Sequence, residues 1–116
     1  MDEKPVNWLG SSYDDLMDMP ERVQDTFGYA LDLAQRGKRH RKAKPFKVKG
    51  EPGLTEIVED NDGDTYRAIY TVRYEDSIYV VHCFQKKSTI GIKTSKQDVD
   101  IVIERLKRLR EILSKR

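Results

Sequence analysis

The sequence predicts an α+β domain in which a helical hairpin and a C-terminal helix pack on a small, mostly antiparallel sheet. Apolar residues recur every three or four positions over residues 23–34 and 99–113, which is the spacing of a buried helix face. Residues 65–75 alternate between apolar and polar, and residues 78–84 are almost continuously apolar, as a central strand is. The predicted order is β-α-α-β-β-β-α, with the helices on one face of the sheet and the other face partly open.

The strand predictions depend on alternation and on turn residues. Residues 6–9 are expected to form a short first strand. Residues 46–60 alternate, but two glycines and a proline interrupt them, so this strand should be bent or split. The Asn-Asp-Gly-Asp stretch at residues 61–64 favours a tight hairpin turn, and a second tight turn is predicted at residues 75–77.

The helix predictions depend on capping residues. A serine is expected to cap a short first helix, and Pro20 suits the first turn of the second helix. Gly37 is a natural stop for that second helix. Ser95 and Asp98 have the spacing of a capping box at the start of the last helix, with Asp in place of the usual Glu.

The composition fits one domain over residues 1–116, with a small core and a densely charged surface, since 37% of residues are apolar and 36% are charged. Cys83 is the single cysteine, so we expect no intrachain disulfide, no metal and no cofactor. The chain shows no secretory leader pattern and no apolar run of the roughly 18 residues that a membrane span needs. A cytoplasmic protein is therefore expected.

Charge is distributed in blocks that the net charge of +2 hides. Residues 1–34 contain eight acids and two bases, residues 35–50 eight bases and no acid, and residues 51–64 six acids and no base. A basic patch of this kind can bind a polyanion, and a solvated loop is the alternative interpretation. The candidate polyanion contacts are Lys38, Arg39, Arg41, Lys42, Lys44, Lys47, Lys49 and Lys93.

A second basic group lies at the end of the third meander strand, where Lys86 and Lys87 follow the apolar run. By the two-residue period of a strand, the even-numbered residues from 78 to 86 should share one face of the sheet. Arg67 belongs to the neighbouring strand and lies near the two lysines if the register permits.

Such a cluster could act on a phosphodiester. Cleaving RNA without a metal requires a group that activates the 2′-hydroxyl, a cation at the phosphate and an acid for the leaving oxygen. Arg67 can bind a phosphate through two parallel hydrogen bonds. Lys86 and Lys87 can supply charge, and a lysine beside other cations has a lowered pKa that suits proton transfer. His82 and Tyr70 are further candidate proton carriers.

Each of these residues also has a purely structural explanation. A histidine within an apolar run is usually a core residue with satisfied hydrogen bonds, and tyrosines usually pack with the hydroxyl at the rim of the core. Lysines at the end of a strand protect an exposed edge against aggregation. The pattern alone leaves both explanations open.

Several stretches of the sequence resemble a known protein family. They are PERVQDTFGYALDLAQRGK at residues 20–38, GLTEI at 53–57, YRAIY at 66–70 and VVHCFQKKS at 80–88. Residues 91–106 are also similar to a family segment in which Thr-Pro precedes a helix. Taken together and in this order, these stretches resemble the phage-derived, HigB-like branch of the RelE/ParE toxin superfamily.

The resemblance implies a RelE-like fold and the toxin of a type II toxin–antitoxin module. Such a toxin binds the ribosome and cleaves mRNA without a metal, by attack of the 2′-hydroxyl, and a helix-turn-helix antitoxin protein neutralises it. By the same resemblance, Arg67, Lys86 and Lys87 contact phosphate and RNA, and Glu56 occupies the acidic position of the family.

Two positions depart from the family pattern. Val58 stands where the family commonly has an arginine, and Ser95 stands where it often has a proline. The missing arginine removes a cation from the implied site, so a second class of function remains open, that of a non-enzymatic binding module. Such a module could be a ParE-like inhibitor of DNA gyrase, or a degenerate toxin that binds only an antitoxin or nucleic acid.

Overall fold

The computed structural model describes residues 3–86 and 94–116, which contain three helices and five strands. In chain order these are β1 (Val6–Trp8), α1 (Ser12–Met17), α2 (Glu21–Gln35), β2 (Lys44–Pro45), β3 (Leu54–Asn61), β4 (Asp64–Thr71), β5 (Ile78–Lys86) and α3 (Lys96–Ser114). The strands form one sheet in the order β1-β5-β4-β3-β2, in which β1 is parallel to β5 and the other neighbours are antiparallel. The α+β class and the mostly antiparallel sheet are confirmed, with the short edge strand β2 as an addition.

The helical hairpin of α1 and α2 covers the first face of the sheet. Pro20 occupies the position before α2, and the predicted apolar stripe of α2 is buried. That stripe packs with residues of α1, β3, β4 and β5 in one core cluster, which includes Leu16, Phe27, Ala30, Ile57, Ala68, Tyr70, Ile78 and Val80. This cluster is the larger of the two apolar cores of the described chain.

Gly37 ends α2 as predicted, because it adopts a left-handed conformation with φ of +75°. The backbone N–H of Lys38 donates to the carbonyl of Leu33 at 2.8 Å, and that of Gly37 donates to the carbonyl of Ala34 at 3.0 Å. These are the two bonds of a Schellman motif, which satisfies the last carbonyls of a helix. The motif directs the following chain from the end of α2 towards the edge of the sheet.

The C-terminal helix α3 packs on the opposite face of the sheet, where Val102 and Leu106 join Leu54, Ile69 and Phe84 in a second core cluster. The expectation that all helices lie on one face is therefore wrong. Amphipathic periodicity shows that a helix buries one side, but it carries no information about which face of a two-sided sheet receives that side. The capping box is confirmed, since the N–H of Asp98 donates to Oγ of Ser95 at 3.2 Å.

A β-bulge in β5 changes which of its side chains share a face. Ile69 pairs with His82 and Tyr70 pairs with Val80, so Val81 is the extra residue in β5. Before the bulge the even-numbered residues point to the helical hairpin, and after it they point to α3. The expectation of one shared face from residue 78 to 86 is therefore wrong, because a bulge inserts one residue into a period of two.

The interrupted strand region at residues 46–60 and the tight turn between β3 and β4 agree with the predictions. Residues 46–60 are split, since they contain an isolated bridge between Val48 and Glu51 and then β3, which begins only at Leu54. The hairpin between β3 and β4 turns at Asp62 and Gly63, both with positive φ, as the turn that fits strand twist requires. No helix in the described ranges has the length and apolar character that a bilayer span demands.

We expect Leu106→Ala to lower the free energy of unfolding by about 2–5 kcal/mol, because it leaves a cavity in the core under α3. Leu106 is 4% exposed, whereas Ile112 on the same helix is 58% exposed. Ile112→Ala is thus the matched control and should change stability by less than about 0.5 kcal/mol. Urea unfolding followed by circular dichroism measures both, and equal effects of the two variants would contradict the packing of α3 on the sheet.

Candidate nucleic-acid interface

Glu56 and Arg67 form a buried ion pair on the face of the sheet that α3 covers. Arg67 is 6% exposed and Glu56 is 5% exposed. Nη1 of Arg67 donates to Oε2 of Glu56 at 3.1 Å and to Oγ1 of Thr94 at 3.0 Å. Nζ of Lys44 lies 3.6 Å from Oε1 of Glu56, so the two carboxylate oxygens each have a cation nearby.

Lys86 belongs to the same group of side chains. It ends β5 and pairs with Thr65, two residues along β4 from Arg67, which places both cations on the face towards α3. Desolvation lowers the pKa of Lys86, the positive charge of Arg67 lowers it further, and Glu56 raises it. Mutual influence of this kind requires the three groups to lie close together. We call Lys44, Glu56, Arg67 and Lys86 the Glu56 cluster.

The register explains how the Glu56 cluster forms without the arginine expected at position 58. Val58 pairs with Arg67 across β3 and β4, so an arginine there would point to the same face. Lys44 instead pairs with Glu56 across β2 and β3 and brings a cation to the carboxylate from the edge of the sheet. The sequence placed Lys44 among the basic loop residues, and only the pairing of β2 with β3 shows its second role.

His82 is a core residue, 5% exposed, whose ring stacks on that of Phe84 with 4.5 Å between the centroids. Its Nε2 lies 2.8 Å from Oδ1 of Asp98, and its Nδ1 lies 3.3 Å from Nη1 of Arg105. Because an arginine can only donate, Nδ1 accepts and Nε2 carries the proton, which is the neutral form. Burial lowers the pKa of His82, although the hydrogen bond to Asp98 acts in the opposite direction.

Tyr70 does not join the Glu56 cluster. It points to the opposite face of the sheet, where it belongs to the core under the helical hairpin. Burial raises the pKa of its hydroxyl, and the charge of Arg39 acts against this rise. The structure therefore separates Tyr70 from Arg67 by the thickness of the sheet and brings it near Arg39 instead. Lys87 and Lys93 lie outside the described residues.

The basic segment, which we define as residues 38–49, runs from the end of α2 along the edge of the sheet that β2 forms. Its cations are all exposed, and they are Lys38, Arg39, Arg41, Lys42, Lys44, Lys47 and Lys49. Lys42 donates to Oε1 of Glu59 at 2.7 Å, and this bond lowers the pKa of Glu59. Just beyond the segment, Glu51 binds Arg110 of α3 through two hydrogen bonds of 2.6 and 3.1 Å. These ion pairs fasten the segment to the body of the domain.

Sequence reasoning missed three partners of the candidate site residues. Thr94 binds Arg67, and Asp98 and Arg105 together hold His82. Asp98 and Arg105 lie seven positions apart, which is two helical turns on one face, so their common direction was readable from the sequence. Their common contact with His82 could not be predicted, because it depends on the face of the sheet that α3 covers. No group of side chains in residues 3–86 and 94–116 has the make-up of a metal site.

A protein-family model described as "Phage derived protein Gp49-like (DUF891)" matches residues 14–107, which is most of the chain. The chain belongs to this Gp49-like family. Among solved structures it is similar to the toxin RelE of E. coli, in the free state of a mutant with two arginines replaced by alanine. The TM-score is 0.58, and the 15% identity extends over 93% of this chain and 98% of the other.

At this level of identity the similarity to RelE shows the fold alone. The family match and the shared fold together confirm the resemblance to the RelE/ParE superfamily that the sequence motifs suggested. No curated protein has a sequence that matches the chain.

The neutral form of His82 can be tested by measuring the free energy of unfolding at several pH values. Because the pKa of His82 is lowered in the folded protein, the unfolded chain binds more protons below about pH 6.5, and stability falls as the pH falls. We expect the free energy of unfolding to decrease from pH 7.5 to pH 5.5 by at most about 1.4 kcal/mol per pH unit from this group. The decrease should be smaller in His82→Gln, measured by urea unfolding at each pH. An unchanged slope in that variant would show that His82 is not held neutral.

Proposed function

We propose that this Gp49-like chain is the toxin of a toxin–antitoxin module and that it cleaves mRNA on the ribosome. The observation that carries the proposal is the Glu56 cluster, in which three cations surround one buried carboxylate. Three positive charges against one negative charge favour the binding of an anion, and the phosphate of RNA is the anion that the neighbouring basic segment would also attract.

The cluster contains two of the three groups that metal-free cleavage needs, a cation at the phosphate and a base for the 2′-hydroxyl. Arg67 is held by Glu56 and Thr94, so its positive charge is fixed in place before the phosphate arrives, which favours stabilisation of the growing negative charge. Lys86 is the proton carrier in this proposal, because its lowered pKa makes the neutral amine more accessible at neutral pH. As the base, it takes the proton of the 2′-hydroxyl, whose oxygen then attacks the adjacent phosphorus and displaces the 5′-oxygen.

Glu56 has a positioning role in this mechanism. Its two oxygens face Arg67 and Lys44, and these ion pairs hold the two cations together on one side of the sheet. The remaining group that the chemistry requires is an acid that protonates the leaving 5′-oxygen. In this proposal it is Lys87 or the protonated form of a neighbouring lysine. The partners of the protein in this proposal are the ribosome with its mRNA and a helix-turn-helix antitoxin, and its place of action is the cytoplasm.

We expect Lys86→Ala to reduce mRNA cleavage by about 100-fold or more, because the variant lacks the proton carrier. The measurement is primer extension on mRNA from a translation reaction with purified ribosomes and the full chain. Lys107→Ala is the matched control, since Lys107 is an exposed lysine on the outer side of α3, and this variant should cleave as the wild type does. Intact mRNA with a folded wild-type chain would contradict the proposal.

Arg67 requires a different variant, because removal of one partner of a buried ion pair destabilises the fold. Arg67→Lys keeps the positive charge and changes the geometry of its hydrogen bonds to Glu56 and Thr94. We expect this variant to remain folded by circular dichroism and to lose most of its cleavage. Full activity in Arg67→Lys would show that charge alone suffices at this position.

A non-enzymatic binding module remains the second candidate function, and one observation favours it. Nη1 of Arg67 is engaged with Glu56 and Thr94, and Val58 supplies no second arginine on that face. A chain of this kind could inhibit DNA gyrase or bind only an antitoxin. A supercoiling assay with gyrase, run beside the ribosome assay, separates the two candidates.

The basic segment should determine how strongly RNA binding depends on salt. Each phosphate contact with single-stranded nucleic acid contributes about 0.7 to the slope of log affinity against log salt concentration. Replacing both Lys47 and Lys49 by alanine should therefore reduce the slope by about 1.4 if each lysine contacts one phosphate. Fluorescence anisotropy with a labelled RNA at several salt concentrations measures the slope, and Lys107→Ala should leave it unchanged.

A further inference from the structure

A small cavity of about 310 Å³ lies on the face of the sheet opposite the Glu56 cluster. It opens between the C-terminal end of α2, the start of the chain and strands β3 and β4. We call it the α2 cavity. A cavity of this size can hold a small ligand, and the chemistry of its walls indicates which kind.

The walls of the α2 cavity carry positive charge without negative charge. Lys4, Lys38 and Arg39 line it, together with the hydroxyl-bearing residues Thr55 and Tyr70, and none of its lining residues is an Asp or a Glu. Three cations in one cavity repel one another, and the arrangement is most favourable when an anion lies between them. Elsewhere on this chain the buried carboxylates Glu51, Glu56 and Glu59 each pair with cations.

Hydrogen bonds hold the backbone of Lys38 and the ammonium group of Lys4 beside the cavity. The Schellman motif at Gly37 sets the direction of Lys38, and Nζ of Lys4 donates to the carbonyl of Tyr74 at 2.8 Å. The N–H of Lys4 donates to the carbonyl of Gln35, so this carbonyl of α2 is occupied, as are those of Leu33 and Ala34. Three of the last carbonyls of α2 therefore already accept backbone hydrogen bonds, while the side chains that line the cavity include several donors.

Tyr70 adds a buried donor to the α2 cavity. Its side chain is 2% exposed, and burial raises the pKa of its hydroxyl, which therefore keeps its proton at neutral pH. Arg39 lies close enough for its charge to act on that hydroxyl. A protonated phenol beside a guanidinium is a suitable pair of hydrogen-bond donors for a phosphate oxygen.

We infer that the α2 cavity binds a phosphate group through Lys4, Lys38, Arg39 and the hydroxyl of Tyr70. The site is separate from the proposed nuclease centre, since the sheet lies between them, and it does not depend on that activity. The phosphate belongs either to a small phosphate ester or to the backbone of a nucleic acid strand that passes the end of α2.

The test is a titration of the ¹⁵N-labelled full chain with inorganic phosphate, followed by the backbone amide resonances. We expect saturable shifts centred on Gly37, Lys38, Thr55 and Val72, which line the cavity. The double variant Lys38→Ala with Arg39→Ala should raise the dissociation constant about tenfold or more, since it removes two charged donors. Tyr70→Phe should raise it about two- to tenfold, because it removes a single hydrogen bond and keeps the packed ring.

The matched control is the double variant Lys47→Ala with Lys49→Ala. It removes the same charge from the same basic segment, but neither lysine lines the α2 cavity. Its dissociation constant should stay within about twofold of that of the wild type. Equal weakening in the two double variants would overturn the inference, because it would show binding to the general charge of the segment, and shifts without saturation would overturn it as well.

Two further ligands identify the source of the phosphate. A nucleoside monophosphate and a short single-stranded RNA are titrated in the same way, in the wild type and in the Lys38→Ala with Arg39→Ala variant. Shifts of the cavity amides with the RNA, lost in the variant, support a backbone phosphate. The same shifts with inorganic phosphate and the monophosphate alone support a small phosphate ester.

Discussion

A buried carboxylate determines the arrangement of the candidate nuclease site. Glu56 is buried in the sheet, and burying a carboxylate is costly unless cations and hydrogen-bond donors lie close to it. Arg67 from β4 and Lys44 from β2 meet this need from two neighbouring strands. The requirement of Glu56 for nearby positive charge therefore explains why Arg67 and Lys44 converge on one spot of the sheet.

The buried pair of Glu56 and Arg67 is expected to contribute little to the stability of the fold. Its main effect is to fix where the charged groups lie. Replacing a buried ion pair by apolar residues is often neutral or stabilising, whereas removing one partner costs about 3–5 kcal/mol. The apolar contacts of the two cores supply the driving force for folding on both faces of the sheet. The Glu56 cluster uses that rigid sheet as a support, so its charges lie on strands and not on loops.

The helices, the meander and the candidate site residues could be predicted from the sequence. The face of the sheet on which each of them lies could not. The stripes of α2 and α3, the stop at Gly37, the turn at Asp62 and Gly63, and the capping box at Ser95 were all readable from local patterns. The side of the sheet on which α3 lies depends on contacts between distant residues, such as Leu106 with the strands. The bulge at Val81 depends on the register of β4 and β5, which no pattern within β5 reveals.

The same reasoning separates the residues of the candidate site. Arg67 and Lys86 lie on one face because of the register of β4 with β5 beyond the bulge, which the sequence left open. Tyr70 was a candidate proton carrier, but it lies three residues from Arg67 along β4, and an odd spacing along a strand places the two side chains on opposite faces. The sequence did not indicate that Lys44 is a partner of Glu56, because β2 is only two residues long and contains a proline. Only the pairing of Lys44 with Glu56 and of Pro45 with Thr55 shows it.

The basic segment connects the two proposed anion sites around the edge of the sheet. Arg39 lines the α2 cavity on one face, and Lys44 reaches Glu56 on the other. They lie five positions apart in the sequence, so the chain between them spans at most about 18 Å even when fully extended. Because β2 is the edge strand, no further strand of the described sheet stands between the two faces at this point. If both proposals hold, a single polyanion that follows the segment reaches both sites, while substitutions at Arg39 and at Lys44 affect them one at a time.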